Sequence, residues 1–279
     1  MKRRIGIMQG RLSPRPPGKL QEFPKASWRA EFELAAALGF DAIEWIYEAD
    51  GAALNPLMTD GGRREIRRVI DGSGVPVRSI CGDYFMVERL AGDGADAVER
   101  NCQELERVID AAAELGAERI LLPLLETAAV DTPELRAEVT QSLRRVAPRA
   151  AAANIVLGLE MEIAGPQYTA LLEAVDHPNV RAYYDVGNST AQGFDVASDI
   201  EPLLPWLFAV HVKDRRLRST SVRLGTGDAN FAGFFKQLKS RNFTGDLVLQ
   251  HYFDTDPRGA AQHALSFIRE LWPAEVKTS

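Results

Sequence analysis

Residues 155–214 read IVLGLEME-IAGPQYTALLEAVD-HPNVRAYYDVGN-STAQGFDVASDIEPLLP-WLFAVHVKD. Two periods alternate in this stretch. Apolar runs at 155–162, 180–186 and 207–213 have the length and the apolar content of strands, and helical patterns at 166–176 and around 195–204 separate them. Strands that alternate with helices pair in parallel, because each crossover helix returns the chain to the same end of the sheet. The runs are apolar at most positions, as strands covered on both faces are.

The rhythm extends in both directions. Upstream, strands are expected at 4–9, 41–46, 77–85 and 119–125, with helices at 26–38, 60–71, 95–115 and 132–153. Gly39 and Gly116 stop two of these helices as C-cap glycines. Thr132 and Pro133 open another as N-cap and first helical residue. Downstream come a helix at 229–241, a strand at 246–253 and a helix at 258–271. Eight strand–helix pairs with no linker between them predict an α/β fold, a single (β/α)8 TIM barrel spanning 1–279. The 279 residues suit it, since such barrels typically take ~250 and tolerate insertions. An open doubly wound sheet is the runner-up. Gly6 and Gly10, however, do not make the G-x-G-x-x-G turn that follows its first strand.

Bulk properties narrow the function. The composition, 46% hydrophobic and 26% charged, is that of an ordinary globular chain. The net charge of −6 argues against a nucleic-acid partner, whose footprint is basic. Cys81 and Cys102 have no metal-like spacing and suit a reducing compartment. The opening Met-Lys-Arg-Arg imitates a signal peptide, but the apolar run after it ends at Gln9, too short for a hydrophobic signal core. No run approaches the ~18 apolar residues of a membrane span. The expected setting is cytoplasmic, with no membrane partner.

A barrel interior is a packed core, so polar residues at the C-terminal ends of strands carry the information. Four successive strands end in potential ligands: Glu160, Asp185, His211 and Gln250. Parallel neighbours bring these ends to one rim. Two carboxylates, an imidazole and an amide oxygen suit a divalent metal such as Mn2+, Mg2+, Co2+ or Zn2+. Each residue alone also has a plain structural explanation. Glu160 can pair with a cation, Asp185 can shape the turn at Gly187-Asn188, His211 can be a satisfied core histidine, and Gln250 can tie down a loop. Their conjunction at equivalent positions favours the metal.

These residues resemble the sugar-phosphate isomerase/epimerase superfamily, the xylose-isomerase-like barrels. The resemblance covers essentially the whole chain. It rests on Gly6-Ile7-Met8-Gln9-Gly10-Arg11-Leu12-Ser13, Ile43-Glu44, Glu160, Tyr184-Asp185-Val186-Gly187-Asn188, His211-Val212-Lys213-Asp214 and Gly225-Thr226-Gly227. It implies a metal-dependent isomerase or epimerase acting on a small-molecule sugar or sugar phosphate. In its ketose epimerases a Glu, an Asp, a His and a second Glu hold the metal, and the two glutamates exchange protons with opposite faces of the sugar. Glu160, Asp185 and His211 match the first three positions. The fourth is Gln250, which has a carbonyl oxygen to coordinate but no carboxylate to carry a proton.

Symmetric two-glutamate epimerisation is therefore in doubt, and Glu160 is the expected catalytic base. A single base suffices for aldose–ketose isomerisation, or for elimination beside a carbonyl by a dehydratase or lyase on an inosose or keto-sugar. Lys213, Glu162 and His251 are candidates for a second proton-transfer group. Glu44, Asp83, Asn188 and Arg215 are candidate substrate contacts; Glu44 can equally orient the site or pair with an arginine. Lys213 and Arg215 would suit an anionic substrate group. Arg11 and the loop 10–24 are expected above the same rim. An abasic-site endonuclease of the same superfamily needs several clustered histidines, and only His211 of the four present lies on the rim. A non-catalytic sugar-binding protein is the remaining alternative. Barrels often pair by their helical faces, so a homo-oligomer is compatible with the sequence.

Overall fold

The computed structural model describes residues 4–14, 18 and 21–273. Eight strands form a closed parallel barrel: β1 (Ile5–Met8), β2 (Ala42–Ile46), β3 (Val77–Cys81), β4 (Arg119–Leu124), β5 (Val156–Met161), β6 (Val180–Asp185), β7 (Leu207–Val212) and β8 (Asp246–Leu249). The order around the barrel is β1-β8-β7-β6-β5-β4-β3-β2, so β1 closes on β8 with Ile7 opposite Leu249. The expected (β/α)8 barrel is what the chain forms.

The helices follow the sequence signals, except that the chain coils directly after β6, ahead of the helix expected around 195–204. They are α1 (Trp28–Leu38), α2 (Asp60–Ser73), α3 (Ala95–Leu115), α4 (Pro133–Ala152), α5 (Gly165–Val175), α6 (Val186–Ala191), α7 (Phe231–Ser240) and α8 (Pro257–Leu271). Thr59 and Thr132 cap α2 and α4 by accepting from Gly62 N and Leu135 N, which satisfies orphan donors of the first turn. Gly39 ends α1 at φ 82°, its N–H reaching the carbonyls of Ala35 and Ala36. A side chain is strained there, so the chain turns from helix to strand at a glycine. No helix among the described residues is long and apolar enough to cross a membrane.

Three boundaries differ from expectation. β3 stops at Cys81, and Tyr84–Val87 coils into one helical turn. β8 stops at Leu249. The segment expected as one helix around 195–204 splits into Val196–Asp199 and a 3-10 turn at Glu201–Leu203. Tyr84, Phe85, Tyr252 and Phe253 have strand propensity, and tertiary context overrode it. After β7 the chain pairs Asp214–Arg215 with Ser221–Val222 in a short antiparallel ribbon.

The interior departs from the apolar packing expected of it. At the floor, Arg119 of β4 reaches across to Asp246 of β8, Nη1 to Oδ2 at 2.7 Å, and both are buried. Arg4 Nε donates to Asp246 Oδ1 at 2.5 Å, and Arg78 pairs with Glu118 beside them. Higher up, Tyr183 of β6 donates across the barrel to Glu44 Oε2 at 2.8 Å, and Ser79 Oγ donates to the same oxygen at 2.7 Å. Register shifts at Ile43/Glu44 and Ala182/Tyr183 fall beside these two inward residues, as bulges near functional positions commonly do.

Candidate metal centre at the strand-end rim

Glu160, Asp185 and His211 come together at the top of this column. One ligand atom from each lies within 4.8 Å of the others, and all three residues are buried. Register explains the meeting, because Asp185 stands directly opposite His211 across β6 and β7. His211 Nε2 is 2.5 Å from Glu44 Oε1. Its Nδ1 has no hydrogen-bond partner and lies 3.7 Å from both Glu160 Oε2 and Asp185 Oδ2. That is too long for hydrogen bonds and a natural spacing for ligands that share a cation. A carboxylate on the far ring nitrogen fixes the imidazole's tautomer and orientation, as it does behind metal-binding histidines generally.

The electrostatics agree. Burial pushes the Glu160 carboxyl well up, and the nearby Asp185 charge adds to the shift. Asp185 also suffers burial, but Lys213 and His211 outweigh it and hold its carboxyl below the usual range. Burial disfavours the His211 cation, yet Glu44, Asp185 and Glu160 raise its pKa to about 10. A metal ion held by His211 would compete with that proton. The orphaned Nδ1 and the mixed nitrogen–oxygen donor set fit a divalent cation.

The fourth expected ligand stands one step away. Lys213 Nζ lies 2.9 Å from Asp185 Oδ2 and donates to Gln250 Oε1 at 2.8 Å. Gln250 Nε2 in turn donates to Gln21 Oε1 at 3.0 Å. Gly187 makes this possible, because a Cβ there would collide with the Lys213 stem. Asn188 Nδ2 donates to Glu160 Oε1 at 2.8 Å, and Arg215 Nη1 donates to Asn188 Oδ1 at 2.8 Å. Glu162 accepts from Gln192 Nε2 at 3.0 Å, on the same side as Arg215.

Two of the expected substrate contacts have their oxygens engaged within the protein. Glu44 is 1% exposed, and both its oxygens are taken by His211, Ser79 and Tyr183. It orients His211 and has no free face for a sugar. Asp83 does not close a strand; it lies in the turn after β3, where Oδ2 accepts from Gln21 Nε2 at 2.5 Å and Oδ1 from Cys81. His251, considered as a proton-transfer group, is 1% exposed, and burial together with Arg11 lowers its pKa to about 3. Arg11 is buried, and its Nη2 donates to Gln21 Oε1 at 2.9 Å. The start of its loop is tied to Glu31 of α1, which accepts from Gly10 N at 3.0 Å and Ser13 Oγ at 2.7 Å. Residues 15–17, 19 and 20 of the expected loop 10–24 lie outside the described residues.

Sequence reasoning missed Ser79, Tyr183 and Gln21. Side-chain alternation on β6 puts Tyr183 on the same face as Asp185, a signal that was there to use. Gln21 meets Gln250 across 229 positions of sequence, and no local pattern announces that.

Comparison with known proteins matches the geometry. The chain is 28% identical over 214 residues to a 2-epi-5-epi-valiolone 7-phosphate 2-epimerase of Actinoplanes sp., covering 76% of this chain and 72% of that one. It is 26% identical over 254 residues to the L-ribulose-5-phosphate 3-epimerase UlaE of Salmonella typhi, covering 85% and 86%. Its fold superposes on D-psicose 3-epimerase from Clostridium cellulolyticum H10 with a TM-score of 0.77 at 18% identity, covering 97% of this chain and 99% of that one. A xylose isomerase domain protein from Planctomyces limnophilus gives a TM-score of 0.76 at 17% identity, with 97% and 96% covered. The xylose isomerase-like TIM barrel profile matches residues 32–271, and the chain belongs to that family.

Proposed function

We propose that this protein is a divalent-metal-dependent isomerase or epimerase of a keto-sugar or sugar phosphate, moving a proton at the carbon beside the carbonyl. The observation that carries the reading is the unpartnered Nδ1 of buried His211, aimed between Glu160 and Asp185. Relatives that act on sugar phosphates support the substrate class.

Glu160, Asp185 and His211 would hold the ion, with Gln250 as a neutral fourth ligand. When bound, the ion supplies Lewis-acid polarisation of the substrate carbonyl. Glu160 takes the α-proton; its raised pKa places it nearer the working range of a general base than an ordinary carboxylate. Asn188 holds the Glu160 carboxylate in place through Oε1. Gln250 cannot take up a proton as a carboxylate does, so Lys213 is the group beside the site able to return one. One carboxylate base and one ammonium make the two faces unequal. That arrangement suits isomerisation and one-sided exchange, and it also accommodates elimination from a keto-sugar.

The test is solvent deuterium incorporation into ribulose, ribulose 5-phosphate and inosose, with and without Mn2+, followed by product analysis. Metal-dependent exchange that Glu160→Gln abolishes is the expected result. Exchange that persists in chelator, or in Glu160→Gln, would sink the proposal. Water loss in the products would select the dehydratase reading.

A further inference from the structure

Beyond Gln250 lies a second polar group that the proton transfer does not use. Arg11 is 7% exposed, yet no carboxylate pairs with it among the described residues. Its guanidinium makes one hydrogen bond there, Nη2 to Gln21 Oε1 at 2.9 Å, and Nε is buried with no acceptor. The group lies 4.2 Å from the centre of the Phe253 ring. His251 is near enough to feel the guanidinium's charge, and neither of its ring nitrogens has a hydrogen-bond partner. Buried polar groups are nearly always paired. A guanidinium and an imidazole left unpaired together have as their complement a group with charge and several acceptor oxygens.

The position relative to the metal centre matters as much as the chemistry. Gln21 Oε1 accepts from both Arg11 and Gln250, and Gln250 Oε1 accepts from Lys213, which touches Asp185. Arg11 is thus two amide side chains away from the lysine beside the reacting carbon. Asp83 is the carboxylate whose charge the Arg11 guanidinium feels most, and its oxygens are engaged by Gln21 and Cys81.

We infer that Arg11 and His251 form a subsite for a terminal anionic group of the substrate, a phosphate monoester or a carboxylate, at the end remote from the carbon that exchanges its proton. The inference rests on the proton-transfer reading of the rim. The Phe253 ring packs against the guanidinium, and the loop that carries Arg11 is held by Glu31 through Gly10 and Ser13. The substrate then spans the site, with its carbonyl end at Glu160 and its anionic end at Arg11.

The experiment compares wild type, Arg11→Met and Arg11→Lys, all loaded with Mn2+. Exchange rates are measured on a neutral ketopentose, its terminal phosphate ester and a ketohexuronate; which anionic arm responds identifies the anion. Wild type should prefer one anionic substrate by about 10²–10⁴-fold in kcat/KM. Arg11→Met should erase that preference, chiefly through KM; Arg11→Lys should keep part of it. Calorimetric titration of inorganic phosphate and of acetate gives a readout independent of turnover. Equal affinity of wild type and Arg11→Met for both anions overturns the subsite, and so does a wild type indifferent to substrate charge. Absence of exchange on every substrate, with anion binding still lost in Arg11→Met, would sink the proton-transfer reading and keep the subsite.

Discussion

The barrel carries a charged cluster at each end, and the two are built on opposite rules. At the floor, Asp246 meets Arg119 and Arg4, and Glu118 meets Arg78, so each carboxylate faces a cation within contact distance. At the rim, Glu44, Glu160 and Asp185 crowd around His211, with the Lys213 ammonium 2.9 Å from Asp185 Oδ2. At the floor every carboxylate is matched by a cation, although Arg78 and Arg119 each keep a buried Nε without an acceptor. The rim leaves His211 Nδ1 unpaired and pushes the Glu160 carboxyl up. A closed ionic cluster belongs to the fold, whereas an open one waits for something outside the chain.

The largest expected effect breaks the floor. Asp246→Asn strands Arg119 in the core and should cost about 3–5 kcal/mol in urea unfolding, with metal affinity unchanged. Glu160→Gln in the metal-free protein should leave stability unchanged or raised, because it removes a carboxylate that its surroundings disfavour. A floor variant as mild as the rim variant would break the comparison.

The pH dependence of the two ends should have opposite signs. Asp246 is held below its ordinary value of 3.8 by Arg119 and Arg4, against the cost of burial. Its contribution is present above the unfolded pKa and lost as acid carries the pH down through the folded one. Glu31 at the rim goes the other way, since burial raises it from 4.5 to about 7 despite its hydrogen bonds. Its contribution is present below pH 4.5 and lost as pH rises through 7, a change of about 3 kcal/mol at most. Unfolding of wild type and Glu31→Gln across that window checks it; parallel curves would remove Glu31 as the source.

Smaller effects concern the metal. Glu44→Gln cannot hold the imidazole as a carboxylate does, and should weaken Mn2+ binding by about 10–100-fold with the fold intact. Titration calorimetry reads this, and an unchanged Kd would mean that Glu44 does not orient His211. Smaller still, Gln250→Glu should tighten Mn2+ by adding an anionic ligand and should make proton exchange more even between the two faces. Unaltered face selectivity would show that Gln250 is not what makes the site one-sided.

The fold was legible because strands buried on both faces announce themselves and glycine and threonine caps punctuate the helices between them. Glu160, Asp185 and His211 were legible as polar ends of successive apolar strands. The floor was not, since the rule that barrel interiors are apolar hides Arg119 and Asp246, which pair across 127 positions. The same rule concealed Tyr183 and Ser79. The relay from Arg11 through Gln21 to Gln250 joins the first loop to the last strand end, and closure of the barrel alone makes those regions neighbours.

The Lys213 ammonium has a consequence for how the centre fills. Lying between Asp185 and Gln250, it is a cation attached to the protein and therefore present at a high local concentration that dilution does not change. A divalent ion held as proposed would substitute for this resident cation rather than enter a vacancy. Its apparent affinity would be a difference between two cations, which would favour concentrated double charge over the monovalent ions abundant around it. Lys213→Met should accordingly bind Mn2+ more tightly and discriminate less against K+, and equal discrimination in the two proteins would show the ammonium to be a bystander. Displacement would also release Lys213 from Asp185, so the event that loads the centre would free the side chain proposed for the second proton transfer.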